Sequence, residues 1–335
     1  MEKIRYGIIG LGPRGFALAD SAVKTGEIEI AAAADLSESA VDEARKRMPD
    51  AKFFNDYHEL LEQDDVDAVV ISTPNFTHKS IAVDAIAAQK NIFCEKPVGI
   101  TMEEFDEVAD KLSKTELILQ AGIELRFSQM GRKLKEAVDN KDIGDLRMLW
   151  CKEFRPPFKS GAGGWRVSER SGGTFLEKCI HHFDLFYWLA DSKPRIVSAI
   201  GGGDVVYKDK NILDNGIVTI EFENGIRACL TLALFHNAGF LMELGAIGDH
   251  GRIDTYTPPV RMTLVNDRYT ANYDFVRTQI AGGFDHEGEI EQHMAFVNSL
   301  RKKTPSLAGI EDVRYAHIIA LAAEKSVAQR SPVYL

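Results

Sequence analysis

A short, largely apolar run, Ile4 to Ile9, gives way at once to Gly10-Leu11-Gly12-Pro13-Arg14-Gly15, and Phe16 to Lys24 then carries a helical pattern. A strand, a glycine-rich turn and a helix in that order constrain the fold more than any other feature of the chain. The three glycines have the spacing of the phosphate cradle in a dinucleotide-binding βαβ unit. Gly10 permits the tight turn, Gly12 lets the backbone approach a pyrophosphate, and Gly15 lets the helix lie close on the strand. The free N–H groups and the dipole of the helix start favour the phosphate charge, with Leu11 and Arg14 in the same loop. The next apolar run, Ile28 to Ala34, ends at Asp35, twenty residues beyond Gly15. That is near the spacing expected of a carboxylate that receives the ribose hydroxyls. The expected ligand is NAD or NADP.

Strand and helix signals continue to alternate through the first third of the chain. Short strands are expected at Asp50 to Phe54, Val66 to Ser72, Asn91 to Glu95 and Leu117 to Gly122. Helices are expected at Asp56 to Glu62, at Phe76 to Gln89, and from Thr101, where Glu104 three residues on suggests a capping box. Repeated β-α-β-α predicts a doubly wound parallel sheet, the Rossmann arrangement, over residues 1–122. Beyond Gly122 the pattern changes. Phe127 to Asn140 and Glu177 to Leu189 read as helices, on either side of a strand at Asp145 to Phe154 and a glycine-rich loop at Ser160 to Gly173. Strand-like runs follow at Ile196 to Ile200, Gly216 to Glu223, Ile226 to Leu234, Leu241 to Ile247 and Met262 to Val265. The hairpin-like breaks Glu223-Asn224-Gly225 and Gly248-Asp249-His250-Gly251 predict a largely antiparallel sheet. Two helices, Glu287 to Lys302 and Asp312 to Gln329, close an α+β domain over residues 123–335. The fold class is therefore α/β followed by α+β.

The bulk numbers exclude several partners. A formal net charge of −10 argues against nucleic acid and anionic membranes. No stretch approaches the ~20 apolar residues that span a bilayer. Met1 to Arg5 run straight into the first strand, and Cys94, Cys151, Cys179 and Cys229 make no C-x-x-C pair. Reduced thiols and a cytoplasmic location are expected.

In an open α/β sheet, ligands lie beyond the carboxyl ends of the strands. That draws attention to three segments: Thr73-Pro74-Asn75 with His78 and Glu95-Lys96-Pro97, as further cofactor contacts, and Gln120 to Gly122. Lys96, at the end of a buried strand and next to a proline, is the sharpest of these. A second cluster runs from Gly172-Gly173 to Asp184. On a helix, Glu177 and His181 share one face as an i,i+4 pair, and a carboxylate beside an imidazole makes a proton-transfer unit. His182 is rotated by ~100° from that face, which suits a packing or surface role. Cys179, His181 and Glu177 have no matching Cys/His set elsewhere, so no metal is expected.

With these motifs in order, the chain resembles the glucose–fructose oxidoreductase and inositol dehydrogenase family over nearly its whole length. The resemblance also rests on Arg126-Phe127, Trp165-Arg166, Gly248 to Gly251 and the closing Ala322 to Ser326. It implies a Rossmann domain and a substrate domain whose open sheet builds homodimers or homotetramers. It also implies NAD(P)-linked hydride transfer at a hydroxyl or carbonyl carbon of a sugar, polyol or inositol. The family's lysine maps onto Lys96 and its histidine onto His181, while Glu177 stands where aspartate is usual and Cys179 where glycine is common. On this basis Lys96, His181 and Glu177 are the expected catalytic residues, with Glu177 orienting His181. Arg126, Trp165 and Arg166 join them around the substrate, with Arg155 or Lys159 as further contacts. Asp35 would repel a 2′-phosphate and favours NAD, although Arg14 leaves a route to NADP. Two other readings remain open: a glycosidase that oxidises its sugar transiently, and a dinucleotide-binding regulator without catalysis.

Overall fold

The computed structural model describes residues 2–157, 164–208, 210–275 and 288–335. Lys159, the first part of the 160–173 loop and Glu287 lie outside the described residues. Two compact units are present: residues 2–127 with 288–314, and residues 128–275 with 315–335.

In chain order the first unit contains β1 (Ile4–Ile9), α1 (Pro13–Lys24), β2 (Ile28–Ala34), α2 (Glu38–Arg47), β3 (Lys52–Phe54) and α3 (Tyr57–Leu61). β4 (Ala68–Ile71), α4 (His78–Ala87), β5 (Asn91–Glu95), α5 (Met102–Leu112) and β6 (Leu119–Gly122) follow. The six strands pair in parallel in the order β3-β2-β1-β4-β5-β6. This is the doubly wound dinucleotide order, and its switch point lies between β1 and β4. Tyr6, Ile8, Leu18 and Phe93 share one buried core with Phe296 and Val297, far along the chain. β4 and most of β5 are buried throughout, which explains their unbroken apolar runs. At the start of α5, Thr101 Oγ1 accepts from the Glu104 N–H at 3.2 Å. The Glu104 carboxylate accepts from Ile100, one residue before the cap, at 2.8 Å. The two caps are therefore made, with the reciprocal bond displaced by one residue.

The second unit opens with α6 (Gln129–Asp139), β7 (Leu146–Phe154), the short α7 (Ser168–Ser171) and α8 (Thr174–Ala190). Then come β8 (Pro194–Gly202), β9 (Asn215–Phe222), β10 (Arg227–Ala233), β11 (Leu241–Gly248), β12 (Gly251–Tyr256), β13 (Arg261–Asn266) and β14 (Thr270–Asp274). The chain passes through α9 (Glu289–Lys302), counted with the first unit, and ends in α10 (Ile310–Gln329) and β15 (Val333–Tyr334). Nine strands form one sheet in the order β14-β13-β12-β11-β7-β10-β9-β8-β15. Every pairing is antiparallel except β7 with β10. Side chains alternate strictly along β9 and β10, one face buried and the other half-buried or exposed. α8 begins at Thr174, three residues before the expected start. Gly173 precedes it at φ 98°, a left-handed conformation that breaks the chain direction there.

Candidate functional site

The glycine loop is built as the motif requires. Gly10 has φ 97°, and a Cβ on it would come within 2.8 Å of the Ser72 backbone. A Cβ on Gly15 would stand 1.9 Å from the Gly10 carbonyl, so α1 lies against the turn only because position 15 is glycine. Around Gly12 there is open space: a Cβ there would meet nothing within 4 Å. A turn closed on the protein side and open beside Gly12 fits a dinucleotide pyrophosphate. Asp35 ends β2 and is fixed by the loop itself, accepting from Leu11 N–H at 2.7 Å and from Ser37 N–H at 2.8 Å. Turn and carboxylate are thus one rigid piece.

The loops after β4 and β5 are tied together by His78. This buried ring places Nδ1 2.7 Å from the Pro97 carbonyl and Nε2 2.8 Å from that of Thr73. With a backbone carbonyl at each ring nitrogen, His78 sits between Thr73-Pro74 and Lys96-Pro97 and donates to one of the two. Asn75 is also buried, and Lys96 is half-buried. Glu95 and Arg14, both expected to face the cofactor, also meet each other: Arg14 Nε donates to Glu95 at 2.8 Å, and a second nitrogen pairs with Glu289. Burial alone would lower the Arg14 pKa, but Glu289 and Glu95 hold it well above its ordinary value. Its guanidinium is therefore held by two carboxylates. Arg126 is likewise turned to the backbone, donating to the carbonyls of Leu307 at 2.9 Å and Asp312 at 3.1 Å.

In the second unit α8 carries Glu177 and His181 one turn apart, both nearly buried. Glu177 Oε1 accepts from Arg166 Nε at 3.1 Å, and the Arg166 guanidinium lies over the Trp165 ring at 4.6 Å. Three expected substrate residues, Trp165, Arg166 and Glu177, are thereby brought into one chain of contacts. Asp184, one turn after His181, is fully buried.

Residues 4–123 match the family described as "Oxidoreductase family, NAD-binding Rossmann fold", and residues 132–254 match the "GFO/IDH/MocA C-terminal domain". The chain belongs to the GFO/IDH/MocA oxidoreductase family. A myo-inositol 2-dehydrogenase of Thermotoga maritima is 28% identical over 99% of this chain and 98% of its own length. A scyllo-inositol 2-dehydrogenase (NAD(+)) of Bacillus subtilis is 25% identical over 100% and 97%. The structure of scyllo-inositol dehydrogenase from Lactobacillus casei superposes with a TM-score of 0.83, at 25% identity, over 99% of this chain and 98% of that one. This GFO/IDH/MocA member is an NAD-binding oxidoreductase, a dehydrogenase.

Several buried groups of this family member escape sequence reasoning. Glu153 on β7 is 1% exposed, with Lys178 Nζ at 3.0 Å and His182 Nε2 at 3.0 Å. Burial would raise its pKa, but Lys178 and His182 hold it far below the ordinary carboxylate range. His182 is therefore no surface residue: it ties α8 to the sheet. Glu324 on α10 accepts from the Phe175 N–H at 2.6 Å and fills the space where a side chain at Gly173 would stand. Its carboxyl oxygen thereby caps one of the free N–H groups at the start of α8. A carboxylate meeting a helix start from a distant segment leaves no local signal.

Proposed function

We propose that this oxidoreductase transfers a hydride between NAD and a hydroxyl-bearing carbon of an inositol, another polyol or a sugar. The observation that carries the reading is whole-length similarity to two inositol 2-dehydrogenases in a chain that also bears Lys96 and the buried Glu177–His181 pair. Gly10, Gly12, Gly15 and Asp35 would hold the dinucleotide, with Thr73, Pro74 and Asn75 as further contacts. When bound, the nicotinamide supplies the redox chemistry by accepting the hydride. His181 takes the hydroxyl proton at a ring nitrogen, and Lys96 stabilises the negative charge that develops on the oxygen. Glu177 and Arg166, joined to each other, orient the substrate, and the Trp165 ring offers it an apolar face.

The open face of the nine-stranded sheet supports self-association. Met148, Ile200, Ile217, Ile247 and Tyr256 stand on it with exposures of 38–69%, which suits a second copy of the chain. The cysteines are free, and three of the four are buried, which suits a reducing, cytoplasmic setting.

The test is formation of reduced nicotinamide by purified protein with inositols, aldoses and sugar acids, with NAD and NADP in parallel. Turnover of a cyclic polyol or sugar with NAD supports the reading. Consumption of a glycoside with no net cofactor change, or no turnover across the panel by cofactor-bound protein, refutes it.

A further inference from the structure

The glycine loop brings one guanidinium among carboxylates from three other elements. Glu95 ends β5 and lies 2.7–2.8 Å from Arg14. Glu289 opens α9, pairs with Arg14 and accepts from Gln292 Nε2 at 2.6 Å. Glu124, just after β6, feels Glu289, Arg14 and Glu95 together. The three carboxylates are almost completely buried, at 6%, 1% and 4% exposure. The neighbouring His293 ring adds no positive charge, because burial, with help from Arg14, pushes its pKa down to about 3. Arg14 and these three acids stand together where water hardly reaches them. Burial, then Glu289, pushes the Glu124 carboxyl up to about 8, and burial raises Glu289 as well. With one proton bound, the cluster still carries a net negative charge.

Its place in the sheet gives this charge a direction. Asp35 follows β2, on one side of β1, and marks the adenosine-ribose half of a dinucleotide. Glu95 and Glu124 follow β5 and β6, on the other side, and Glu95 precedes Lys96 directly. That side serves the nicotinamide half, whose ring is cationic in NAD+ and neutral in NADH. We propose that the Arg14–Glu95–Glu124–Glu289 cluster sets the protein's preference for oxidised over reduced cofactor, with Glu124 and Glu289 as specificity-determining residues. The inference rests on Lys96 facing the reacting end of NAD. Each ionised carboxylate of the cluster attracts the cationic ring, against the opposing charge of Lys96, and leaves the neutral ring nearly unaffected.

The experiment measures dissociation constants of NAD+ and NADH on the full-length protein, at pH 7 and pH 9. NADH is followed by its own fluorescence and NAD+ by calorimetry, for the wild type, Glu124→Gln and Glu289→Gln. Glutamine is isosteric with a protonated glutamic acid, so Glu124→Gln keeps the fold, and Glu289→Gln still offers Arg14 an acceptor. Glu289→Gln is expected to raise the ratio Kd(NAD+)/Kd(NADH) about three- to tenfold, mainly through weaker NAD+ binding. Glu124→Gln is expected to do the same at pH 9, where the wild-type carboxylate is ionised, and to change little at pH 7. Ratios equal to wild type in both variants at both pH values, with both cofactors still bound, would overturn the proposal. A wild-type protein that binds neither cofactor would instead overturn the NAD reading beneath it.

Discussion

Arg166 Nε donates to Glu177 Oε1 at 3.1 Å, so the carboxylate expected to serve His181 on its own helix is held by a residue from the preceding turn. On the proposed function, Glu177 and Arg166 act on substrate as one unit. Arg166→Ala and Glu177→Ala should each lower kcat/KM by about 1–3 kcal/mol in activation free energy. The double variant should be scarcely worse than either single one. Fully additive losses in a double-mutant cycle would show that the pair does not act together.

Glu324 predicts a dependence of stability on pH. Burial pushes its pKa from 4.5 to about 7, against the opposing effect of the Phe175 N–H. Between these values the folded state holds a proton that the unfolded state releases. Stability from this group is therefore full below pH 4.5 and lost as pH rises through about 7. Glu324→Gln stays neutral and keeps an acceptor for Phe175. Its melting temperature relative to wild type should rise by a few degrees from pH 5 to pH 8. An equal difference at both pH values would contradict the assignment.

Glu153 anchors α8 to β7 through Lys178 and His182. Replacing one partner of a buried ion pair strands the other, typically at a cost of about 3–5 kcal/mol. Glu153→Leu should lose stability of that order in urea denaturation. A change below about 1 kcal/mol would mean that Lys178 and His182 find other partners at no cost.

Gly15 leaves no room for a methyl group, since its Cβ would meet the Gly10 carbonyl at 1.9 Å. Gly15→Ala should open the loop and weaken NAD binding at least tenfold, or about 1.4 kcal/mol. Calorimetric titration with NAD measures this directly, and unchanged affinity would disprove the role of the loop.

The first sheet was legible because its signals are local: apolar runs, three glycines and Asp35 all lie within a few residues of each element. β12, β14 and β15 were not. β14 buries none of its residues and β15 has only two, so neither carries an apolar pattern to read. That Glu177 and His181 share a helix turn was legible as well, from their i,i+4 spacing. The inward turn of Arg14, Arg126 and His78 was not legible, because it depends on Glu289, Leu307 and Pro97, up to 275 residues away. Residue type marks a charge, and only the fold shows what answers it.

The most direct test of the account is cofactor affinity and turnover in Lys96→Ala and His181→Ala, assayed with the polyol or sugar on which the wild type is most active. The expected result is a kcat about 10²- to 10⁴-fold lower in each variant, with NAD still bound within a few-fold of wild type. Near-normal kcat in either variant would remove that residue from the chemistry and contradict the proposed mechanism.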